Sequence, residues 1–190
     1  MMAAHQVERV SLAGYSMGGR VCLTVMELMP GKIESCVLIA SDGLVFNPLY
    51  YFVTRTVLGK RIFRRFLTEP GRYLDLIEWL RRREIIHPSR YRFAMHYLES
   101  EADRNFLLNV WPAMCRIVPE RRRLRASIRS FEIPVFIFMG MYDRVIPVPH
   151  GKRFQKNLPS VELIIVEKGH RVFDSSTLPK MAACLRKPGT

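Results

Sequence analysis

Apolar residues along this chain follow two rhythms. "RVSLAG" (Arg9 to Gly14) is a short apolar run closed by glycine, the pattern of a buried strand. From Gly18 to Met29, Val21, Val25, Leu28 and Met29 recur at helical spacing until Pro30-Gly31 stops the helix. "IESCVLIAS" (Ile33 to Ser41) is β-branched and apolar and predicts a second strand. Strand, helix, strand in that order implies a parallel βαβ unit. The rhythm then changes. From Asp42 to Glu132 the pattern is helical, aromatic and rich in arginine, and no strand stands out. Phe52, Leu58, Ile62, Phe66, Leu74, Ile77 and Leu80 fit amphipathic helices broken at Pro70, Pro88, Pro112 and Pro119. Alternation returns with a strong strand signal at Ile133 to Gly140. A short helix follows at Pro149 to Leu158, a fourth strand at Val161 to Glu167, and a closing helix at Asp174 to Leu185. No internal repeat or low-complexity segment is evident. The expected class is α/β: a mostly parallel sheet of about four strands from residues 1–41 and 133–190, with residues 42–132 inserted as a helical segment.

Composition supports one folded domain with an insertion. The chain has 190 residues, 48% hydrophobic and 25% charged, enough apolar matter for a sizeable core. Only Arg186 to Thr190 reads as disordered. Thirty Lys and Arg against 17 Asp and Glu give a net charge of +13. The 42–132 segment alone holds 18 basic and 10 acidic residues, densest in "RRRE" (Arg81 to Glu84) and "ERRRLR" (Glu120 to Arg125). Such runs usually form solvated faces, although a basic surface can also attract nucleic acid, anionic lipid or acidic substrates. No zinc spacing, RNA-binding aromatic signature or basic zipper accompanies them, so nucleic acid is not an expected partner. A membrane surface stays open as a weaker alternative.

The four cysteines, Cys22, Cys36, Cys115 and Cys184, show no metal-ligand spacing and no Cys-x-x-Cys pair. Cys22 and Cys36 fall in apolar periodic segments and read as small buried hydrophobes, which suits a reducing compartment. "MMAAHQVERV" lacks the apolar centre of a signal peptide, and no apolar run reaches membrane-span length. The expected location is cytoplasmic.

"AGYSMGGR" (Ala13 to Arg20) carries the chemistry. Gly-x-Ser-x-Gly on a strand-to-helix turn is a nucleophile elbow: a sharp turn that holds the serine in a strained conformation. Gly14 and Gly18 let strand and helix approach closely, and Gly19 adds room. The hydroxyl of Ser16 then projects from the end of the sheet. The helix that starts at once favours developing negative charge, with the Met17 backbone N–H as one oxyanion donor. The motif alone could also be a plain glycine-rich turn.

Serine needs a base, and the base an orienting carboxylate. "GMYDRVIP" (Gly140 to Pro147) follows the third strand and contains Asp143. "KGHRVFD" (Lys168 to Asp174) follows the fourth and contains His170. In a parallel sheet such loops emerge at one edge, the carboxyl end of the strands, so Ser16, Asp143 and His170 are expected to converge. Singly, Asp143 could be a turn residue and His170 a surface histidine. Asp42, just after the second strand, is a rival acid. His5, His87, His96 and His150 lack comparable context.

These segments, "GYSMGG", "GMYDRVIP" and "GH" in the order Ser, Asp, His, resemble the α/β-hydrolase family. The resemblance covers Val7 to Met29, Glu34 to Ala40 and Ile133 to Leu185. It implies Ser16 as nucleophile, His170 as general base and Asp143 as orienter. It also implies no metal or cofactor, and a small or medium, mostly apolar ester or related acyl substrate. The 42–132 insertion resembles the helical cap of many members, whose aromatic residues (Phe46, Tyr50, Tyr51, Phe52, Phe63, Phe66, Trp79) would line or cover a pocket. Thioester and carbon–carbon bond cleavage use the same triad. Ser16 argues against epoxide and haloalkane hydrolases, which use an aspartate.

In the family the elbow follows the fifth of eight strands, whereas here it follows the first. By that resemblance, four strands are missing upstream, on the order of 60–90 residues. With them goes the loop that supplies the second oxyanion N–H. Three expectations follow: a fragment, half of a split protein, or a shortened member stabilised by self-association through its exposed edge strand; in each, activity of this chain alone is in doubt. The alternative function is an inactive family member that binds through its basic helical segment.

Overall fold

The computed structural model describes residues 7–86 and 88–186, apart from the side chains at 89, 90, 93, 96 and 97. His5, His87 and the terminal residues 187–190 lie outside that description, as does the side chain of His96. Two compact units result, 1–46 with 117–190, and 47–116.

The first unit is built on four parallel strands in the order β1 (Val10–Tyr15), β2 (Ile33–Ile39), β3 (Val135–Gly140) and β4 (Val161–Val166). β2 and β3 lie in the middle, and nearly every residue in them is buried. A strand covered on both faces has no reason to alternate with polar residues, which is why β3 and the Cys36–Ile39 part of β2 read as continuous apolar runs. Leu38, Val135, Ile137 and Met139 point to one face. There they pack with Leu23 and Met26 of α1 (Met17–Leu28), Leu124 and Ile128 of α7 (Arg121–Ser130) and Phe154 of α8 (Pro149–Gln155). Val37, Phe136, Phe138 and Ile164 point to the other face, against Met181 and Cys184 of α9 (Leu178–Arg186). Cys22 and Cys36 are buried in the first of these clusters.

The unit boundary falls inside the segment that the sequence reads as inserted. α7 looks like more of the arginine-rich middle, because only Leu124 and Ile128 are large apolar residues in its ten. Those two, one helical turn apart, are fully buried beside α1, and so the helix belongs with the sheet.

The second unit is helical throughout: α2 (Pro48–Arg55), α3 (Val57–Thr68), α4 (Gly71–Arg82), α5 (Pro88–Glu99) and α6 (Glu101–Met114). Asn47, Thr56 and Ser100 cap α2, α3 and α6, each accepting a hydrogen bond from a first-turn N–H. Its core is Leu67, Ile77, Leu98 and Leu107, ringed by Phe63, Phe66, Tyr73 and Trp111. Phe63 stacks on Trp111 with ring centroids 5.1 Å apart, and the Tyr50 hydroxyl donates to the Trp111 carbonyl. Tyr50, Phe63 and Phe66 are thus spent on packing, while Tyr51, Phe52 and Trp79 stay exposed. Leu58 and Ile62 are also exposed, because α3 packs through Phe63, Phe66 and Leu67 instead. Pro70, Pro88 and Pro119 sit at helix starts or just before them, but Pro112 lies within α6. It comes so near the end that the helix closes two residues later through a bond from Cys115 N–H to the Pro112 carbonyl. Among the described residues no helix is long and apolar enough to cross a membrane.

The glycines around Ser16 divide differently from the sequence expectation. A Cβ on Gly14 would stand 2.6 Å from the Gly18 carbonyl oxygen, so this close approach does require glycine. A Cβ on Gly18 would meet nothing within 4 Å among the described residues, whereas one on Gly19 would stand 1.9 Å from Ser41 Oγ. Ser41 is fully buried and cannot move aside. Gly19, not Gly18, is where α1 presses on the end of β2. Gly19→Ala is therefore expected to destabilise the protein by about 1–3 kcal/mol. Gly18→Ala, in the first turn of α1, should be neutral or stabilise it by up to about 1 kcal/mol. Chemical denaturation of the two variants measures both.

Candidate active site

Ser16 is the residue between β1 and α1. Its backbone sits at φ 49°, ψ −118°, a region a residue with a side chain enters only under strain, typically about 1–3 kcal/mol. The surroundings hold it there. Its N–H donates to the Ile39 carbonyl at the end of β2 (2.9 Å), and its carbonyl accepts from Gly19 N–H (3.0 Å) and Asp42 N–H (2.9 Å). Met17 opens α1, so its N–H has no acceptor within the helix.

Asp143 lies three residues beyond β3, and its side chain is fully buried. A buried carboxylate must have its oxygens satisfied. Oδ1 accepts from the backbone N–H groups of Val145 (2.8 Å) and Ile146 (2.9 Å), which fixes the plane of the carboxylate. Oδ2 is left facing His170 Nδ1 at 2.8 Å. With the Nδ1 proton donated to Asp143, Nε2 carries the lone pair and faces Ser16 Oγ at 3.2 Å. The structure thus brings together all three residues singled out in the sequence, from the ends of β1, β3 and β4.

Asp42, the rival acid, is engaged elsewhere. Its Oδ2 pairs with Arg20 of α1, which is itself buried, and its Oδ1 accepts from Gly43 N–H at 2.7 Å. The pair ties α1 to the loop after β2, next to the elbow. His150 stands in the first turn of α8, where burial and the charge of Arg153 lower its pKa.

Sequence reasoning missed the residues that hold the histidine loop. The Tyr15 ring lies 5.4 Å from the His170 ring and meets Phe173 edge-on at 5.0 Å. Lys168 and Asp174, on either side of His170, form an ion pair, and Asp174 Oδ1 also accepts from Ser176 N–H (2.9 Å) and Thr177 N–H (3.2 Å). "DSST" (Asp174 to Thr177) is the one local signal for this, since Asp followed by hydroxyl residues forms side-chain turns. Among the described residues no group of three or more His, Cys, Asp or Glu side chains is arranged to hold a metal ion.

A parallel sheet that places a strained serine on its first strand–helix turn, and an aspartate and a histidine beyond later strands, defines a class of folds. The chain belongs to the alpha/beta hydrolase fold family, whose profile matches residues 1–177. It is similar to the "uncharacterized hydrolase YugF" of Bacillus subtilis (strain 168), at 24% identity over 172 residues, 88% of this chain and 60% of that protein. Among solved structures it is similar to MGS-M2, an alpha/beta hydrolase from a Medee basin deep-sea metagenome. The TM-score is 0.60 at 12% identity, over 97% of this chain and 66% of that one. It is also similar to the 2-hydroxy-6-oxo-6-phenylhexa-2,4-dienoate hydrolase of Rhodococcus sp. strain RHA1. There the TM-score is 0.54 at 20% identity, over 95% of this chain and 65% of that one. These structural likenesses concern the fold. The chain spans about three fifths of the length of the curated relative it matches.

The Lys168–Asp174 pair makes a pH prediction. Lys168 first, then the bond from Ser176, holds the Asp174 carboxyl well below its ordinary value of 3.8. A lowered carboxyl stabilises the fold fully above the ordinary value and loses that contribution as the pH falls through the folded one. The difference in melting temperature between the parent and Asp174→Asn should be constant above about pH 5 and shrink in stronger acid. Thermal unfolding at stepped pH measures it.

Proposed function

We propose that this chain carries the catalytic machinery of a serine hydrolase that cleaves an ester or related acyl bond through an acyl-enzyme. The observation that carries the proposal is the relay Ser16 Oγ to His170 Nε2 (3.2 Å) and His170 Nδ1 to Asp143 Oδ2 (2.8 Å), on a serine held at positive φ. A serine hydroxyl is a weak nucleophile without a base within hydrogen-bond reach, and here one stands at that distance with its own orienter.

In the first half-reaction Ser16 Oγ forms a bond to the acyl carbon while its proton passes to His170 Nε2. The Asp143 carboxylate stabilises the imidazolium that results. The Met17 N–H, at the positive end of α1, donates to the oxygen that becomes negative. As the intermediate collapses, the bond to the leaving group breaks and the proton on Nε2 goes to the departing oxygen. Water then enters, gives its proton to Nε2 and attacks the acyl carbon. The acid leaves, and Ser16 regains its hydrogen from His170. No step needs a metal or a redox cofactor.

Labelling with a fluorophosphonate, read by intact mass, tests the proposal. The parent is expected to gain one adduct and Ser16→Ala none. Asp143→Asn should label roughly 10³–10⁴ times more slowly, because His170 would then hold the wrong tautomer. A folded parent that gains no adduct, or one that labels equally well in Ser16→Ala, would overturn the proposal.

A further inference from the structure

The fold puts a second, unrelated cluster of cations on the α/β unit. Arg121, Arg122 and Arg125 of α7 and Arg153 of α8, together with Glu120, line a shallow cavity that is open to solvent. We propose that this cavity binds a phosphoryl group or an anion of similar charge, independently of the chemistry at Ser16.

The start of α7 holds a local electrostatic conflict. The N-terminus of a helix is its positive end and favours acidic residues. α7 instead opens with Arg121, Arg122 and Arg123, and has no acid in its first turn. Glu120 relieves part of the conflict as N-cap, its carboxylate accepting from the N–H groups of Arg122 and Arg123 (2.9 Å each). Its charge is thereby committed to the helix end. Among the described residues, no carboxylate lies within ion-pair distance of Arg121, Arg122, Arg125 or Arg153, and the 3.9 Å approach of Arg123 to Glu120 is the pair α7 makes.

A second element adds to the field. α8 carries Lys152 and Arg153 and no acid. Arginines of α7 are bonded to the C-terminal end of α8 and the turn beyond it. Arg125 donates to the Phe154 carbonyl (2.6 Å) and to that of Lys156, and Arg129 donates twice to the Asn157 carbonyl (3.1 Å each). Partial burial, and then the charges of Arg129 and Arg121, lower the Arg125 pKa. A like-charged group held together by its own backbone contacts is a concentration of positive charge that an anion would relieve. Guanidinium groups suit phosphoryl oxygens because their donors form a planar fork. Arginines from two elements line the same depression.

Calorimetric titration of the full chain with inorganic pyrophosphate tests this. Flotation with phosphatidylcholine vesicles, with and without phosphatidic acid, separates a soluble phosphate from a lipid headgroup as the source. The test variant is Arg121→Gln/Arg122→Gln/Arg153→Gln, which spares the structural Arg125 and changes only exposed residues. The control is Arg81→Gln/Arg82→Gln, in the other arginine cluster. Saturable one-to-one binding is expected to one of the two probes. It should weaken at least about tenfold in the triple variant, stay unchanged in the control, and fall with added salt. Fluorophosphonate labelling of Ser16 should be the same in all three proteins. Absence of saturable binding to either probe, or an equal loss in the control, would overturn the proposal. So would retention of binding in the triple variant.

Discussion

The strained turn at Ser16 is the constraint on which the rest of the site depends. A residue at φ 49° does not stay there for its own sake. It is held because β1 is paired to β2 in register up to Tyr15 and Ile39, and because Ser16 bonds with its N–H to β2 and with its carbonyl to the loop beyond. α1 begins at the next residue, pressed against the sheet by Gly14 and Gly19, whose side chains would collide with the Gly18 carbonyl and with Ser41. The pair that buried Arg20 makes with half-buried Asp42 fastens the same corner from outside the relay. One turn thus fixes where the hydroxyl points and where the positive end of the helix lies.

His170 reaches that hydroxyl by a different economy. Its strand, β4, lies at one side of the sheet, and mixes buried, half-buried and exposed positions. The loop beyond it is shaped by short contacts: Lys168 with Asp174, Asp174 with the N–H groups of Ser176 and Thr177, and the Tyr15 and Phe173 rings near the imidazole. Asp143 is fixed by its own backbone before it meets the histidine, through Val145 and Ile146. Acid and base are each oriented locally, and the parallel sheet brings them together.

The strands were legible in the sequence because burial on both faces writes itself as apolar runs, as in "IPVFIFMG" and "CVLIA". The three polar residues of the relay were legible because each stands just past such a run. Other features depend on contacts distant in sequence. Arg20 looks like one more surface arginine until the fold buries it beside Asp42. Gly18 and Gly19 are indistinguishable in "MGGR", and only the position of Ser41 tells which of them is indispensable. α7 shows two large apolar residues, Leu124 and Ile128, among five arginines, too few to reveal a core helix, yet both are completely buried. Pro112 reads as a breaker, and it stands in the last turn of α6, which ends two residues beyond it.

The central claim is that Asp143 holds the His170 imidazole by its Nδ1 proton so that Nε2 faces Ser16. Proton NMR of that N–H tests it most directly. The account predicts a slowly exchanging, far-downfield imidazole resonance that persists in Ser16→Ala and vanishes in Asp143→Ala. A His170 N–H that exchanges freely with water in the parent, or a downfield signal that survives Asp143→Ala, would contradict it.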